Sequence, residues 1–208
     1  MIPAAENGPA LWDAMLAPVV AAYGTGAVIA GGAVIAGGAV RDHLLGVDAK
    51  DIDIFVDVST DYELETEIAD LAAAGFELSL MDHTEYEDAP DWVNAVQGVL
   101  DGTFRGFPVQ IIARPSVGPF LGERLVSNFD LAITQCWFDG EIHDTPAAAK
   151  DRADRTATIT RWNSPEHVAV TYARFERFSA RHNPPFTLID ARPEVRLSAF
   201  DMAGEVSA

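Results

Sequence analysis

The chain reads as an α+β (α/β) protein in which strands and helices interleave over one mixed sheet. Three features carry that reading. The apolar run Ala33-Val34-Ile35-Ala36 ends on the glycine pair Gly37-Gly38, and helical spacing follows as far as Leu45. The segment Asp51–Val58 alternates carboxylates with branched apolar residues, the period of a half-buried strand. Asp139-Gly140 separates two short strand-like segments, a hairpin signal, and Ser164-Pro165-Glu166 then opens a long amphipathic helix.

Taken in order, the spacing of Leu11, Met15, Leu16 and Val19 predicts a helix over 9–22. The hexamer Ala27-Val28-Ile29-Ala30-Gly31-Gly32 is then repeated perfectly through Ala33 to Gly38. Six residues are too few for a structural array, so a short tandem duplication is the simplest account. Only the second copy leads into Val40-Arg41-Asp42, which assigns the functional turn to Gly37-Gly38 and leaves Gly31-Gly32 to a longer strand or bulge. After the strand 51–58, Ser59-Thr60-Asp61 offers a cap for a helix reaching Ala74 and ended by Gly75. Phe76–Met81 reads as a strand, and the polar stretch 82–91 as an exposed loop. Strands follow over 93–104 and 107–113, with a short helix over 119–126. A strand over 129–138 returns through 141–144, a helix sits near 146–153, and the amphipathic helix runs to about Arg181, where Asn183-Pro184-Pro185 stops it. From Arg192 onward little periodicity remains.

Bulk properties exclude several classes. At 208 residues the chain can bury a real core, and no stretch is long and apolar enough to cross a bilayer. The run 27–40 is interrupted by glycine and lacks the basic flank of a signal peptide. The single cysteine, Cys136, has apolar neighbours and reads as core, and a cytoplasmic location is expected. Fourteen lysines and arginines face 32 aspartates and glutamates, for a net charge of −18. Proteins that grip long nucleic acids carry a basic footprint, so broad nonspecific nucleic-acid binding is not expected here.

The chemistry gathers on Gly37–Ile54. Residues i and i+2 of a strand share a face, so Asp51 and Asp53 stand side by side. Two adjacent carboxylates repel unless a cation lies between them, and a hard, oxygen-seeking divalent ion fits: magnesium, or manganese in its place. Gly37 and Gly38 let backbone amides approach a phosphate, and the following helix adds a favourable dipole. A metal pair beside such a turn is equipment for a nucleoside triphosphate. Arg41, one turn on, either contacts the triphosphate or pairs with Asp42 or Asp51. Asp42, counted with the nucleotide-binding set, reads as a cap or an arginine's partner. Arg114, Arg174 and Arg177 are further candidates for phosphate contact, the last two alternatively forming the polar face of the helix. No nucleophile–base arrangement or metal-spaced histidine pair stands out.

The order Gly37-Gly38-Ala39-Val40-Arg41-Asp42-His43-Leu44-Leu45-Gly46, then Lys50-Asp51-Ile52-Asp53-Ile54, resembles the head of CCA-adding enzymes and bacterial poly(A) polymerases, in the DNA polymerase beta-like nucleotidyltransferase superfamily. Those heads read roughly G-G-x-V-R-D-x-L-L-G and K-D-I-D-I. Asp130-Leu131-Ala132-Ile133-Thr134 is similar to the family's D-F-T-I-N strand, Glu141-Ile142-His143-Asp144 to its returning E-I-I-D, and Arg174–Arg181 to its arginine-rich helix. The resemblance covers roughly 27–189. It implies a nucleotidyltransferase head over 1–155 and, over 156–208, a helical extension like the start of a neck with a poorly structured tail. It also implies Asp51, Asp53 and Asp130 as catalytic carboxylates, the first two as metal ligands, and transfer of a nucleoside monophosphate from a triphosphate to a hydroxyl. The acceptor stays open between an RNA 3′ end such as tRNA, a metabolite and a protein side chain.

Two positions depart from the pattern. Ser127-Asn128 stand where the family places two arginines, and Gln110 where many superfamily members place a third carboxylate. Segments like those that read tRNA are not found here, so CCA addition itself is not expected. A catalytically degenerate nucleotide-binding or regulatory protein of the same fold, and a toxin-like modifier using the same chemistry, remain alternatives.

Overall fold

In a computed structural model, residues 1–24, 32–58, 64–81, 96–115, 122–161 and 165–190 are described. The first copy of the hexamer repeat, the cap at 59–61, the loop 82–91 and the tail from 191 lie outside them. Among the described residues, nine strands and six α-helices follow one another as α1 (Pro9–Gly24), β1 (Ala33–Ala36), α2 (Gly38–Leu44), β2 (Ile52–Val58), α3 (Ile68–Ala73), β3 (Phe76–Leu80), β4 (Gly98–Phe104) and β5 (Phe107–Pro115). Then come α4 (Gly122–Val126), β6 (Cys136–Phe138), β7 (Ile142–Asp144), α5 (Pro146–Asp154), β8 (Thr156–Thr158), α6 (Pro165–Ser179) and β9 (Thr187–Ile189). The first seven strands form one mixed sheet in the order β3-β4-β5-β2-β1-β6-β7, antiparallel except for the β2–β5 pair. This is the α+β class the sequence predicts.

The period-2 pattern of β2 divides the molecule. Ile52, Ile54, Val56 and Val58 face a core completed by Trp12, Met15 and Val19 of α1 and by Leu71 of α3. Phe55 faces the other way, where Val34, Ala36, Leu125, Val126 and Trp137 make a second cluster with Phe129 packed on it. The carboxylates of β2 therefore belong to the face opposite α1. A third cluster of Leu131, Ile133, Ala157, Ile159, Phe178 and Phe186 joins α6 to the rest.

Two expectations are corrected. The strand expected over 129–138 is broken by a 3-10 turn at Ala132–Thr134, and only Cys136–Phe138 enters the sheet. Leu131, Ala132 and Ile133 are all buried, Leu131 and Ile133 in the cluster under α6, so their apolar character comes from packing off the seven-stranded sheet. The Thr134 hydroxyl closes the turn by donating to the Leu131 carbonyl at 2.7 Å. Asp130 consequently precedes a turn and does not lie on a strand. The second correction is a small parallel pair, β8 with β9, which three-residue segments leave invisible to periodicity.

Close packing at Gly102 gives a test of the sheet. A Cβ there would lie 1.9 Å from the Glu77 carbonyl oxygen, a backbone atom of the neighbouring strand. Gly102→Ala is expected to lower the unfolding free energy by about 3 kcal/mol, the upper end of ordinary overpacking, in chemical denaturation followed by circular dichroism.

Candidate active site

The turn after β1 is built for glycine. Gly37 has φ 83° and ψ −127°, a region that L side chains avoid, and a Cβ there would press on the Phe129 ring at 3.3 Å. Its amide donates to the Cys136 carbonyl on β6 at 2.9 Å, and its own carbonyl accepts from the Arg41 amide at 3.0 Å. Burial pushes the Cys136 thiol up to about 12, so this cysteine is inert packing beneath the turn, as its neighbours suggest.

Strand register brings the turn to the carboxylates. Ile35 pairs with Ile54 in the antiparallel β1–β2 ladder, so β1 runs on through Ala36 toward the start of β2. The chain then enters Gly37 next to the start of β2, where Asp51 and Asp53 lie. Burial, followed by the negative charge of Asp51, raises the Asp53 carboxyl from its ordinary 3.8 to about 7. Lys50 and Arg174 oppose that shift. Lys50, itself exposed, donates to Asp51 at 2.7 Å, and this hydrogen bond with the Asp51 charge raises the lysine's pKa.

The fit of a cation rests on that donor chemistry. Two hard oxygen donors are neighbours near the turn, and burial together with the Asp51 charge favours the neutral form of Asp53, a cost that a bound cation would relieve. Magnesium or manganese suits the pair. Among the described residues no group of three or more histidines, cysteines, aspartates and glutamates is placed to hold a metal, so Asp51 and Asp53 stand as a pair.

The other expected residues divide into three groups. Asp130 is buried and accepts from the Thr171 hydroxyl at 2.8 Å and from Arg174 at 3.1 Å. Arg174 thereby links it to the Asp53 neighbourhood, while Arg177, exposed on the same helix, acts on Lys50. Arg41 and Asp42 form a second group. The Arg41 guanidinium binds Asp42 at 2.6 Å and lies 4.2 Å over the Phe178 ring, so the pairing alternative holds and Asp42 is an arginine's partner. Asp42 is almost completely buried and also takes Arg181 at 3.1 Å, while Arg181 donates to the Asp48 carbonyl. Arg114 stands apart. It pairs in register with Asp57, four residues along from the Gln110 that faces Asp53, or roughly 13 Å at strand spacing. Burial and then the nearby Arg161 charge lower its pKa.

Sequence reasoning missed Lys50 as a partner of Asp51, Thr171 as a donor to Asp130, and Phe178 with Arg181 as the grip on α2. Only Lys50 had a visible signal, adjacency to Asp51. Arg161, which donates to Asn128, fills space beside one of the positions where the resemblance led us to expect arginine.

No family model matches the chain, and no curated protein sequence matches it. Solved structures do. A complex of a CCA-adding enzyme with ATP aligns with a TM-score of 0.58 at 18% identity, covering 87% of this chain and 40% of that one. An apo CCA-adding enzyme aligns with a TM-score of 0.54 at 17% identity over 88% of this chain and 41% of the other. The Thermotoga maritima CCA-adding enzyme with tRNA gives 0.51 and 18% over 77% and 35%. At these identities the likeness is one of fold, and it confirms the resemblance to the CCA-adding head. The chain spans well under half the length of the proteins it resembles.

A pH signature follows. The folded chain favours neutral Asp53, so that group's contribution to stability is full below about 3.8 and is lost as pH rises through about 7. Melting temperatures of the chelator-treated protein are expected to fall between about pH 4 and 7 more steeply than those of Asp53→Asn, and to run parallel to them above that.

Proposed function

We propose that the protein is a magnesium-dependent nucleotidyltransferase that moves a nucleoside monophosphate from a nucleoside triphosphate to a hydroxyl. The observation that carries this reading is the placing of Asp51 and Asp53 beside the Gly37 turn, with Lys50, Arg174 and Arg177 around them. The CCA-adding fold raises its weight, since structures of that fold include complexes with ATP and CTP.

In the transfer, the acceptor hydroxyl gives up its proton to solvent as its oxygen bonds to the α-phosphorus, the bond from that phosphorus to the bridging oxygen of the β-phosphate breaks, and pyrophosphate leaves. Asp51 and Asp53 would hold a divalent ion, which would supply Lewis-acid activation of the hydroxyl and charge neutralisation of the leaving group. The exposed heads of Lys50, Arg174 and Arg177 bring positive charge to the polyphosphate in an otherwise acidic chain. Gly38, where a Cβ would meet only Arg41 Nη2 at 3.7 Å, leaves the backbone approachable, while the Gly37 amide is given to the Cys136 carbonyl and holds the turn. Arg41 contributes by keeping α2 in place. Asp130 fixes Arg174 through a charge-assisted hydrogen bond. The acceptor is an RNA 3′ end, a metabolite or a protein hydroxyl, and the three are separable by where label ends up.

One observation favours a second reading, nucleotide binding without turnover: Arg41 is committed internally, and Gln110 stands where a carboxylate is common. The same assay decides. Incubation with each α-labelled triphosphate, magnesium and cell lysate is expected to place label in RNA, protein or small molecules, and Asp53→Asn is expected to lower that transfer at least about 100-fold, the scale of lost electrostatic catalysis, while the fold is retained. Triphosphate binding without label in any fraction would support the second reading.

A further inference from the structure

Gln110 is the register partner of Asp53 across the parallel β2–β5 ladder and of Asp101 across the antiparallel β4–β5 ladder. Registered partners carry their side chains on one face, so Asp53, Gln110 and Asp101 form a row over three adjacent strands. Gln110 Nε2 donates to Asp101 Oδ1 at 2.9 Å. A carboxylate can only accept, so the amide must turn its NH2 group toward β4. That leaves the amide's carbonyl oxygen for the β2 side of the row, where Asp53 stands.

We infer that Gln110 supplies a third, neutral oxygen ligand to the cation held by Asp51 and Asp53, and that Asp101 is the positioning residue that keeps this oxygen turned toward them. The inference rests on the proposed reading of the Asp51–Asp53 pair. Amide oxygens are hard donors of the kind magnesium and manganese accept, and a neutral one adds a ligand without adding a third charge to two crowded carboxylates. Asp101 is exposed and touches no phosphate or metal itself. Its effect passes through the Gln110 amide, in the way outer carboxylates orient ligating side chains.

The test is titration of the full-length chain with Mn2+ alone, reading free Mn2+ by its electron paramagnetic resonance signal, with melting curves confirming that each variant is folded. Gln110→Ala and the near-isosteric Gln110→Met are expected to weaken Mn2+ binding about 10-fold or more, and Asp101→Ala a comparable amount. Asp101→Asn keeps an acceptor for the Gln110 NH2 group while losing the charge, and is expected to stay within about 3-fold of the unaltered chain. The double variant Gln110→Ala with Asp101→Ala is expected to be no weaker than Gln110→Ala alone, since the second residue acts only through the first. Unchanged Mn2+ affinity in both Gln110 variants would overturn the inference while leaving the Asp51–Asp53 reading intact. An Asp101→Asn loss as large as that of Asp101→Ala would overturn the positioning role of Asp101, reducing it to long-range charge. No Mn2+ uptake by the unaltered chain would overturn the underlying reading itself.

Discussion

The register between β1 and β2 is the constraint on which the site depends. Because the two strands run antiparallel with Ile35 opposite Ile54, the chain leaves the sheet at Gly37 beside the residue that carries the second carboxylate. A slip of one residue would turn Asp53 toward the α1 core and Ile54 toward the turn. The slip is opposed by four branched side chains of β2 that fit only one face, and by the Gly37 amide hydrogen bond to Cys136 on the far side of β1. Apolar packing on one side of the sheet thus holds two repelling charges together on the other.

Helix α6 contributes what the sheet lacks. The chain is strongly acidic, yet seven of its 14 lysines and arginines fall between 150 and 181, with only four of its 32 acids. Two of those arginines project from α6 and a third, Arg181, lies just past its end. Arg174 meets Asp130 near Asp53, Arg177 acts on Lys50, and Arg181 reaches both Asp42 and the Asp48 carbonyl. The Arg41–Phe178 stack adds an apolar anchor to the same grip. The loop from Gly46 to Lys50, which delivers Asp51, is therefore pinned by Arg181 past the end of α6 as well as by its own strand. The extension belongs to the site's architecture.

Much of this was legible in the sequence. The alternation of β2, the glycine pair and the Asp139-Gly140 hairpin are local signals, each fixed by a few adjacent residues, and each appears where expected. The candidate site was legible in its first half for the same reason: Gly37, Gly38, Asp51 and Asp53 are close in sequence and joined by one turn and one helix. The second half was not. Arg41 shows no sign in its neighbours that Phe178, more than a hundred residues away, will cover it. Arg114 reads as one candidate for phosphate contact, and nothing beside it in the sequence shows that the β2–β5 register sets it level with Asp57. The break at Ala132–Thr134 was hidden because Leu-Ala-Ile-Thr has strand-like composition, while the packing of Leu131 and Ile133 against Phe178 and Phe186 joins it to residues distant in sequence.

The central claim is that Asp51 and Asp53 hold a divalent cation next to a polyphosphate at the Gly37 turn. A crystal structure of the chain soaked with manganese and a nonhydrolysable triphosphate, recorded at the manganese absorption edge, tests it directly. The account predicts an anomalous peak touching oxygens of both carboxylates, with phosphate density against the backbone of Gly37-Gly38. A structure in which triphosphate binds elsewhere, or in which the two side chains turn apart with no peak between them, would contradict it.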